Sequence, residues 1–316
     1  MLTNKRKYEE LALESTGVPI FSQPWWLDAV CGPAHWNACV VEKNGQPVGA
    51  FPFQYKRKAF FKTITMPQLT QCVSLWIQEP NSLKQEKVLS HQKTIISELI
   101  QQLPPYDYFN LNFYHSLTNW LPFYWHGFGQ TTRYTYIIQD LNSLDDVFQS
   151  FSHAKRKNIK RAEKLLKLGP ELSGRELFNH HSMTLAKKNQ TVGYSVKTLE
   201  RLYEATQLHN CGKILSAVDT SDNVVAVIFI VWDKKQTYYL ISSIDPEHQN
   251  SGAATFLLKH AITLASNVSE SFDFEGSMIE NVENSFRQFG TQQTPYFKIT
   301  HTPARLLRFK KLLDSR

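Results

Sequence analysis

The sequence predicts an α+β protein built of two domains, and three observations predict it. The chain has 316 residues, about twice the ~150 of a typical domain. Its composition, 42% hydrophobic and 20% charged, is that of a folding chain rather than a disordered one. Its second half alternates helical and strand patterns in the order α-α-β-β-β-loop-α-β-α-β-α, which calls for a mixed sheet flanked by helices. The boundary is placed near Leu141, giving domains 1–141 and 142–316.

In the first domain, residues 23–30 (QPWWLDAV) read as a short helix after Pro24, a residue suited to a first turn. Residues 38–42 and 48–53 are apolar-rich strands around Asn44-Gly45, a tight-hairpin signal. Residues 73–77 form another strand. Helical spacing through Val88, Leu89, Ile95, Ile96, Leu99 and Ile100 predicts a helix over 86–103, stopped by Pro104-Pro105. Residues 108–113 alternate as a strand, 120–128 make an aromatic helix, and 134–138 a strand.

The second domain opens with one basic helix over 144–168, ended by Gly169-Pro170. Helices over 174–188 and 196–210 precede three antiparallel strands, 214–218, 224–232 and 237–244. A loop, 246–254, then leads to a helix over 255–265, a strand over 271–274, a helix over 282–289, a strand over 296–300, and a C-terminal helix over 302–316 that packs back on the first domain.

Lys and Arg number 35 against 28 Asp and Glu, a net charge of +7. That permits a polyanionic ligand such as tRNA, a nucleotide or CoA without demanding one. Residues 153–167 (HAKRKNIKRAEKLLK) hold seven Lys or Arg and one Glu. Arg156, Lys157 and Arg161 in that segment are candidates for phosphate contacts. A second basic cluster spans 305–311. Cys31, Cys39, Cys72 and Cys211 form no Cys-x-x-Cys pair and read as reduced thiols of a cytoplasmic protein. The pair His180-His181 reads as ordinary helix residues, and no metal is expected. The longest apolar run, 224–232, is far shorter than the about 20 residues of a spanning helix, and the opening MLTNKRKYEE has no secretory features. No transmembrane segment is expected.

The chemistry points to residues 240–254, LISSIDPEHQNSGAA. A strand runs into a loop of small residues that leads directly into a helix. Gln249, Asn250, Ser251, Gly252, Ala253 and Ala254 let a ligand approach the backbone closely. The first turn of the helix offers unpaired N–H groups and the positive end of the dipole, a setting for phosphate or pyrophosphate.

The spacing Gln249-x-x-Gly252-x-Ala254, after three antiparallel strands and before helix, strand, helix and strand, resembles the GNAT acyltransferase superfamily. Its signature is Arg or Gln, two residues, Gly, one residue, then Gly or Ala. In that superfamily the loop amides hold the pyrophosphate of acyl-CoA. Residues 272–299, FDFEGSMIENVENSFRQFGTQQTPYFKI, resemble more specifically the C-terminal part of the FemABX-like acyltransferases, which include peptidoglycan bridge-forming aminoacyltransferases. The motif shared with that group is Phe286-Arg287-Gln288-Phe289-Gly290, and FSHAKRKNIKRAEK is similar to its basic linking helix. The strong resemblance covers 151–300. It implies two tandem GNAT-like domains, the first degenerate, each a mixed, mostly antiparallel sheet flanked by helices. Two residues depart from the pattern. Phe286 stands where many GNAT enzymes place a Tyr that protonates the leaving thiolate, and Arg287 replaces the FemABX-like Lys.

The resemblance implies transfer of an acyl group from acyl-CoA to an amine or hydroxyl acceptor. Such transfer needs a base and a stabilised oxyanion. Asp273 and Glu275 alternate with Phe272 and Phe274, so both carboxylates leave one strand face and are the catalytic candidates. Arg287 is a candidate donor contact, and Tyr194 and Tyr239 are candidates to line the acceptor site. No Gly-x-Ser-x-Gly nucleophile motif is present, so transfer is expected to be direct. Two alternatives stand beside this reading. One is an aminoacyl-tRNA-dependent aminoacyltransferase acting on a cell-wall precursor. The other is a non-catalytic GNAT-fold binding protein.

Overall fold

The structure, a computed structural model, describes residues 3–80 and 84–307. The chain divides into two compact units, one taking the chain up to Arg133 and again from Pro295, the other Tyr134–Thr294. The division thus falls at Arg133 rather than at residue 141, and the end of the last strand belongs to the first unit. Residues 305–307 are helical; the rest of the helix expected to end at 316, and most of the second basic cluster, lie outside the described residues.

Unit 1 begins with α1 (Asn4–Glu14), capped by the Thr3 side chain, and α2 (Pro24–Cys31), with Pro24 in its first turn. The sequence pattern missed α1, because only Tyr8, Leu11 and Ala12 give it an apolar face. β1 (Trp36–Lys43) and β2 (Gln46–Lys58) form the expected hairpin, with Asn44 and Gly45 both left-handed (φ +52° and +77°). β3 (Phe61–Thr65) pairs with β2, and β4 (Trp76–Ile77) pairs with β2 over Gly49 and Ala50. Then come α3 (Gln85–Gln101), β5 (Tyr108–Asn112) parallel to β3, and α4 (Leu121–Trp125). α3 buries Ile95, Ile96, Leu99 and Ile100 against Phe51, Phe109 and Phe113.

β6 (Gly129–Ile138) runs into unit 2. There α5 (Leu144–Ser150) and α6 (His153–Ala162) replace the single helix expected over 144–168. The physical reason is Ser152, whose side chain accepts from the Lys155 N–H and starts a new helix after an extended Phe151. Lys167–Leu168 is not the end of a helix but a short strand, β7, paired with Ala217 and Val218. α7 (Gly174–Ala186) has a full capping box between Ser173 and Glu176, and α8 (Val196–Leu208) follows. β8 (Gly212–Val218), β9 (Val224–Trp232) and β10 (Gln236–Ile244) are antiparallel neighbours as expected. α9 (Ala253–Ala265), β11 (Ser271–Asp273), α10 (Glu280–Phe286) and β12 (Gln292–His301) complete the chain. β11 is parallel to β10 and antiparallel to β6. β12 pairs with β5 of unit 1 over Lys298–His301.

Each unit is therefore a mixed, mostly antiparallel sheet flanked by helices. The core of unit 2 is the apolar face of α9 (Phe256, Leu257, Ala261, Ile262) on Ala226, Ile228 and Ile230 of β9. Each large side chain buried there contributes about 1.5–3 kcal/mol against leaving it exposed. This packing fixes where α9 begins, and with it the position of the loop before it.

Candidate functional site

Gly252 caps α9 with a left-handed backbone, φ +86°. A Cβ there would lie 3.1 Å from the Asn158 carbonyl oxygen and 3.2 Å from Ala162 Cβ, both on α6. Gly252 is thus required by its own backbone and by the close approach of α6. Gly252→Ala is expected to lower stability by about 1–2 kcal/mol. The check is urea unfolding, where the midpoint should fall at constant slope; an unshifted midpoint removes the strain argument.

The rest of the loop is held in place. Ser251 Oγ donates to the His248 carbonyl (2.6 Å) and accepts from Ala253 N–H (3.2 Å). The Asn250 carbonyl accepts from the Arg161 guanidinium on α6. Lys187, at the C-cap of α7, bridges Asp245 (2.8 Å) and Glu247 (2.9 Å). Gln249 and Asn250 are exposed, Ser251 and Ala254 half-buried, and Ala253 buried. The first-turn N–H groups beyond Ala253 have no partner four residues back within the helix.

Beside this loop the parallel strands fork. β11 pairs with β10 only from Gln236 to Tyr238. At Tyr239 β10 leaves it, and a bulge between Tyr239 and Ile241 bends the strand. The open end of the fork lies at the C-terminal ends of both strands, where parallel sheets bind ligands. Tyr239 stands at the branch point. Its ring meets Phe274 and Phe286 edge-on, with centroids 6.4 and 6.3 Å away, and its hydroxyl donates to Ser242 Oγ (2.7 Å). Burial pushes this phenol up to about 12.

Asp273 is the last residue of β11 and is buried. Its carboxylate accepts from the Thr135 hydroxyl and from the Glu275 N–H (2.7 Å). Burial pushes Asp273 up to about 7, against the pull of those bonds. Glu275 does not continue the strand: its φ is +60°, so the strict alternation expected for the two carboxylates ends at Asp273. Burial first, then the neighbouring Asp273 charge, pushes Glu275 well above the usual carboxylate range. Both carboxyls of the pair are thus harder to ionise than solvated ones.

The Phe286–Gly290 motif has a structural place. Gly290 is left-handed (φ +68°), and a Cβ on it would lie 2.7 Å from Ser150 Cβ. Phe289 is buried against Phe151 (centroids 5.1 Å). The Ser152 N–H donates to the Gln288 carbonyl (2.9 Å). Lys155 Nζ sits 4.4 Å from the Phe289 ring centroid and donates to Ser285 Oγ (2.8 Å), and desolvation lowers this amine to about 8. The motif therefore braces the α5–α6 junction. Arg287 itself is exposed and donates to Asn284 Oδ1 through Nε (3.2 Å) and Nη2 (2.9 Å), within its own segment rather than at the 249–254 loop.

On α6, Ile159 and Ala162 face the core while Arg156, Lys157 and Arg161 are exposed. Of these, Arg161 reaches the loop, and Arg156 donates to the Gln149 carbonyl. Tyr194 is hydrogen-bonded to His181 Nδ1 (2.7 Å), and burial pushes the phenol up. The structure also assembles a group that sequence reasoning passed over. His180 Nδ1 is 2.7 Å from Ser243 Oγ on β10, and Thr184 Oγ1 is 3.0 Å from the same oxygen. Burial holds both histidines below their ordinary value. The signal in the chain is the Ser242-Ser243 pair interrupting the apolar residues near the end of β10. Cys39, Cys72 and Cys211 are buried, and no cysteine is disulfide-bonded. Among the described residues no group of His, Cys, Asp or Glu is placed to hold a metal ion, and no helix is long and apolar enough to cross a membrane.

Two units of this plan, each with strands feeding a helix and a parallel return, define a tandem GNAT-like fold. No family model matches the sequence, and no curated protein matches it. Solved structures do. FemX is similar over 97% of this chain and 98% of its own, at 10% identity and a TM-score of 0.64. L-PGS from Bacillus licheniformis is similar over 99% and 97%, at 12% identity and a TM-score of 0.54. A tandem GNAT protein from the clavulanic acid biosynthesis pathway is similar over 94% of each chain, at 10% identity and a TM-score of 0.50. The likeness to the FemX-type tandem GNAT group is thus one of fold and spans nearly the whole chain.

Proposed function

We propose that this protein is an acyltransferase that takes an acyl-CoA donor at the β10–β11 fork of unit 2 and transfers the acyl group directly to an amine or hydroxyl acceptor. The observation that carries this reading is the fork itself, bulged at Tyr239 and ending at the glycine-capped start of α9. The amides after Gly252 suit a pyrophosphate, and the free edge of β10 suits the amides of a pantetheine arm. The Asp273–Glu275 pair supplies a base tuned toward neutral pH, which is where general-base catalysis is most effective. Phe286 has no proton to give, so Tyr239 is assigned the acid role. Four cysteines with no disulfide among them fit a reducing, cytoplasmic setting. The test is thermal shift with acetyl-CoA and longer acyl-CoAs. A ligand at about 100 times its Kd adds about 2.7 kcal/mol to the native state. No shift with any acyl-CoA overturns the reading.

A second reading, aminoacyl-tRNA as donor, is favoured by the exposed basic face of α6. The charge reversals R156E and K157E probe it; Arg161 is left alone because it holds the loop. With tRNA as ligand the double variant should bind weakly and with a flatter salt dependence, since fewer counterions are released. With acyl-CoA its affinity should stay within about twofold, because loop amides rather than this face hold the phosphates.

A further inference from the structure

Unit 1 repeats the strand plan that makes the fork in unit 2. Val73 N–H donates to the Asn112 carbonyl and Tyr114 N–H to the Val73 carbonyl, both at 2.8 Å, so Val73 and Phe113 form a parallel bridge. Beyond it the two segments part: Trp76 and Ile77 pair with β2, and the chain after Tyr114 turns toward α4. In the opening lies a cavity of about 120 Å³. One water needs about 10–15 Å³ on this measure, and drug-sized pockets run to about 300–1,000 Å³. The space suits one small functional group or the end of a slender arm.

The lining states the chemistry of that group. Leu75, Ile77 and Ile96 give it apolar lining, Ser116, Thr118 and Asn119 polar lining, and no charged side chain is among the described lining residues. Ser116 and Thr118 are exposed. The Asn119 amide nitrogen is buried and finds no acceptor among the described residues. A buried donor left without an acceptor destabilises the fold, so a ligand carbonyl there would be bound with net gain. A carboxylate or phosphate would enter without a counter-charge and is disfavoured.

We infer that this cavity is a binding site for a neutral amide group, its carbonyl oxygen on the Asn119 amide and its apolar end on Leu75 and Ile96. The chemistry is shared by two sources, the pantetheine arm of a thioester and the N-acetyl group of an amino sugar, and the test separates them. The site is confined to unit 1 and stands whether or not the fork of unit 2 binds a donor.

The experiment is a titration of the full chain, followed by NMR through the Asn119 side-chain amide resonances, which are assigned by their loss in Asn119→Leu. The probes are pantetheine, N-acetylglucosamine, and glucose as a polyol without an amide. Ligands of this size should bind with Kd on the order of millimolar. The amide probes should shift the Asn119 resonances and glucose should not. Saturation by pantetheine alone assigns the thioester source, and by N-acetylglucosamine alone the sugar source. Ligand-observed titration should show affinity for the active probe falling at least about tenfold in Asn119→Leu, which removes the donor, and in Ser116→Trp, which plugs an exposed edge of the cavity. Both variants leave the core intact. No shift with either amide probe, equal shifts with glucose, or unchanged affinity in both variants would overturn the assignment and leave a cavity that holds only water.

Discussion

Gly276→Ala should destabilise the protein by about 3–5 kcal/mol, among the largest losses a single methyl can cause. Gly276 has φ +52°, and a Cβ on it would lie 2.6 Å from Thr135 Cα and closer still to the Tyr134 carbonyl oxygen. These are backbone atoms of β6, whose next residues pair with β11. They cannot rotate away as a side-chain tip can. Relief would require pulling β6 from β11 at the point where Thr135 holds Asp273. For a unit of this size the loss corresponds to a fall in Tm on the order of 10 °C. Calorimetry reads it directly, and a fall equivalent to less than about 1 kcal/mol would show that the turn after β11 relaxes easily.

Asp273→Asn should separate catalysis from stability. On the proposed mechanism, turnover falls by about 10²–10⁴ with donor affinity nearly kept. Stability should move the other way at high pH. In the folded chain the carboxyl keeps its proton up to about 7, whereas unfolded it releases it near 3.8. Between those values the folded state binds more protons, so its stability falls as pH rises, and the full cost is reached above about pH 7. Asn keeps an oxygen to accept from Thr135 and from the Glu275 N–H and carries no charge to bury. The variant should therefore be more stable than the parent at pH 8, by on the order of 1–3 kcal/mol, and show a flatter pH profile between 4 and 7. Equal stability at pH 8 would mean that water reaches the carboxylate. Near-normal turnover would leave the base to the substrate.

Much of unit 2 was legible from residue order. The nine-residue apolar strand β9 follows from its run of residues, because a strand buried on both faces is apolar throughout. Asn44-Gly45 specified its hairpin because both residues tolerate positive φ. What stayed hidden has common physical causes. Phe148, Phe151 and Ile159 keep a helical rhythm across a break that Ser152 imposes through one hydrogen bond. Glu275 alternates with Asp273 on paper, yet the carboxylate of Asp273 turns the chain by accepting its neighbour's N–H. His180 and Ser243 are far apart in the chain, and only the packing of α7 on β10 joins them. The glycines of the FemABX-like pattern were readable as glycines. Their purpose at 276 and 290, making room for Tyr134 and Ser150, was not.

Lys187 and Arg161 grip the 245–252 loop from two different helices. A segment so tethered has already surrendered most of its conformational freedom before any ligand arrives. Little further ordering entropy remains to be lost on association, so more of the contact energy of an incoming phosphate appears as affinity. The same tethers join that affinity to the chain's charge state. Asp245 and Lys187 hold their end of the loop while both are ionised, so acid strong enough to protonate Asp245 would loosen that end with no group on the ligand changing.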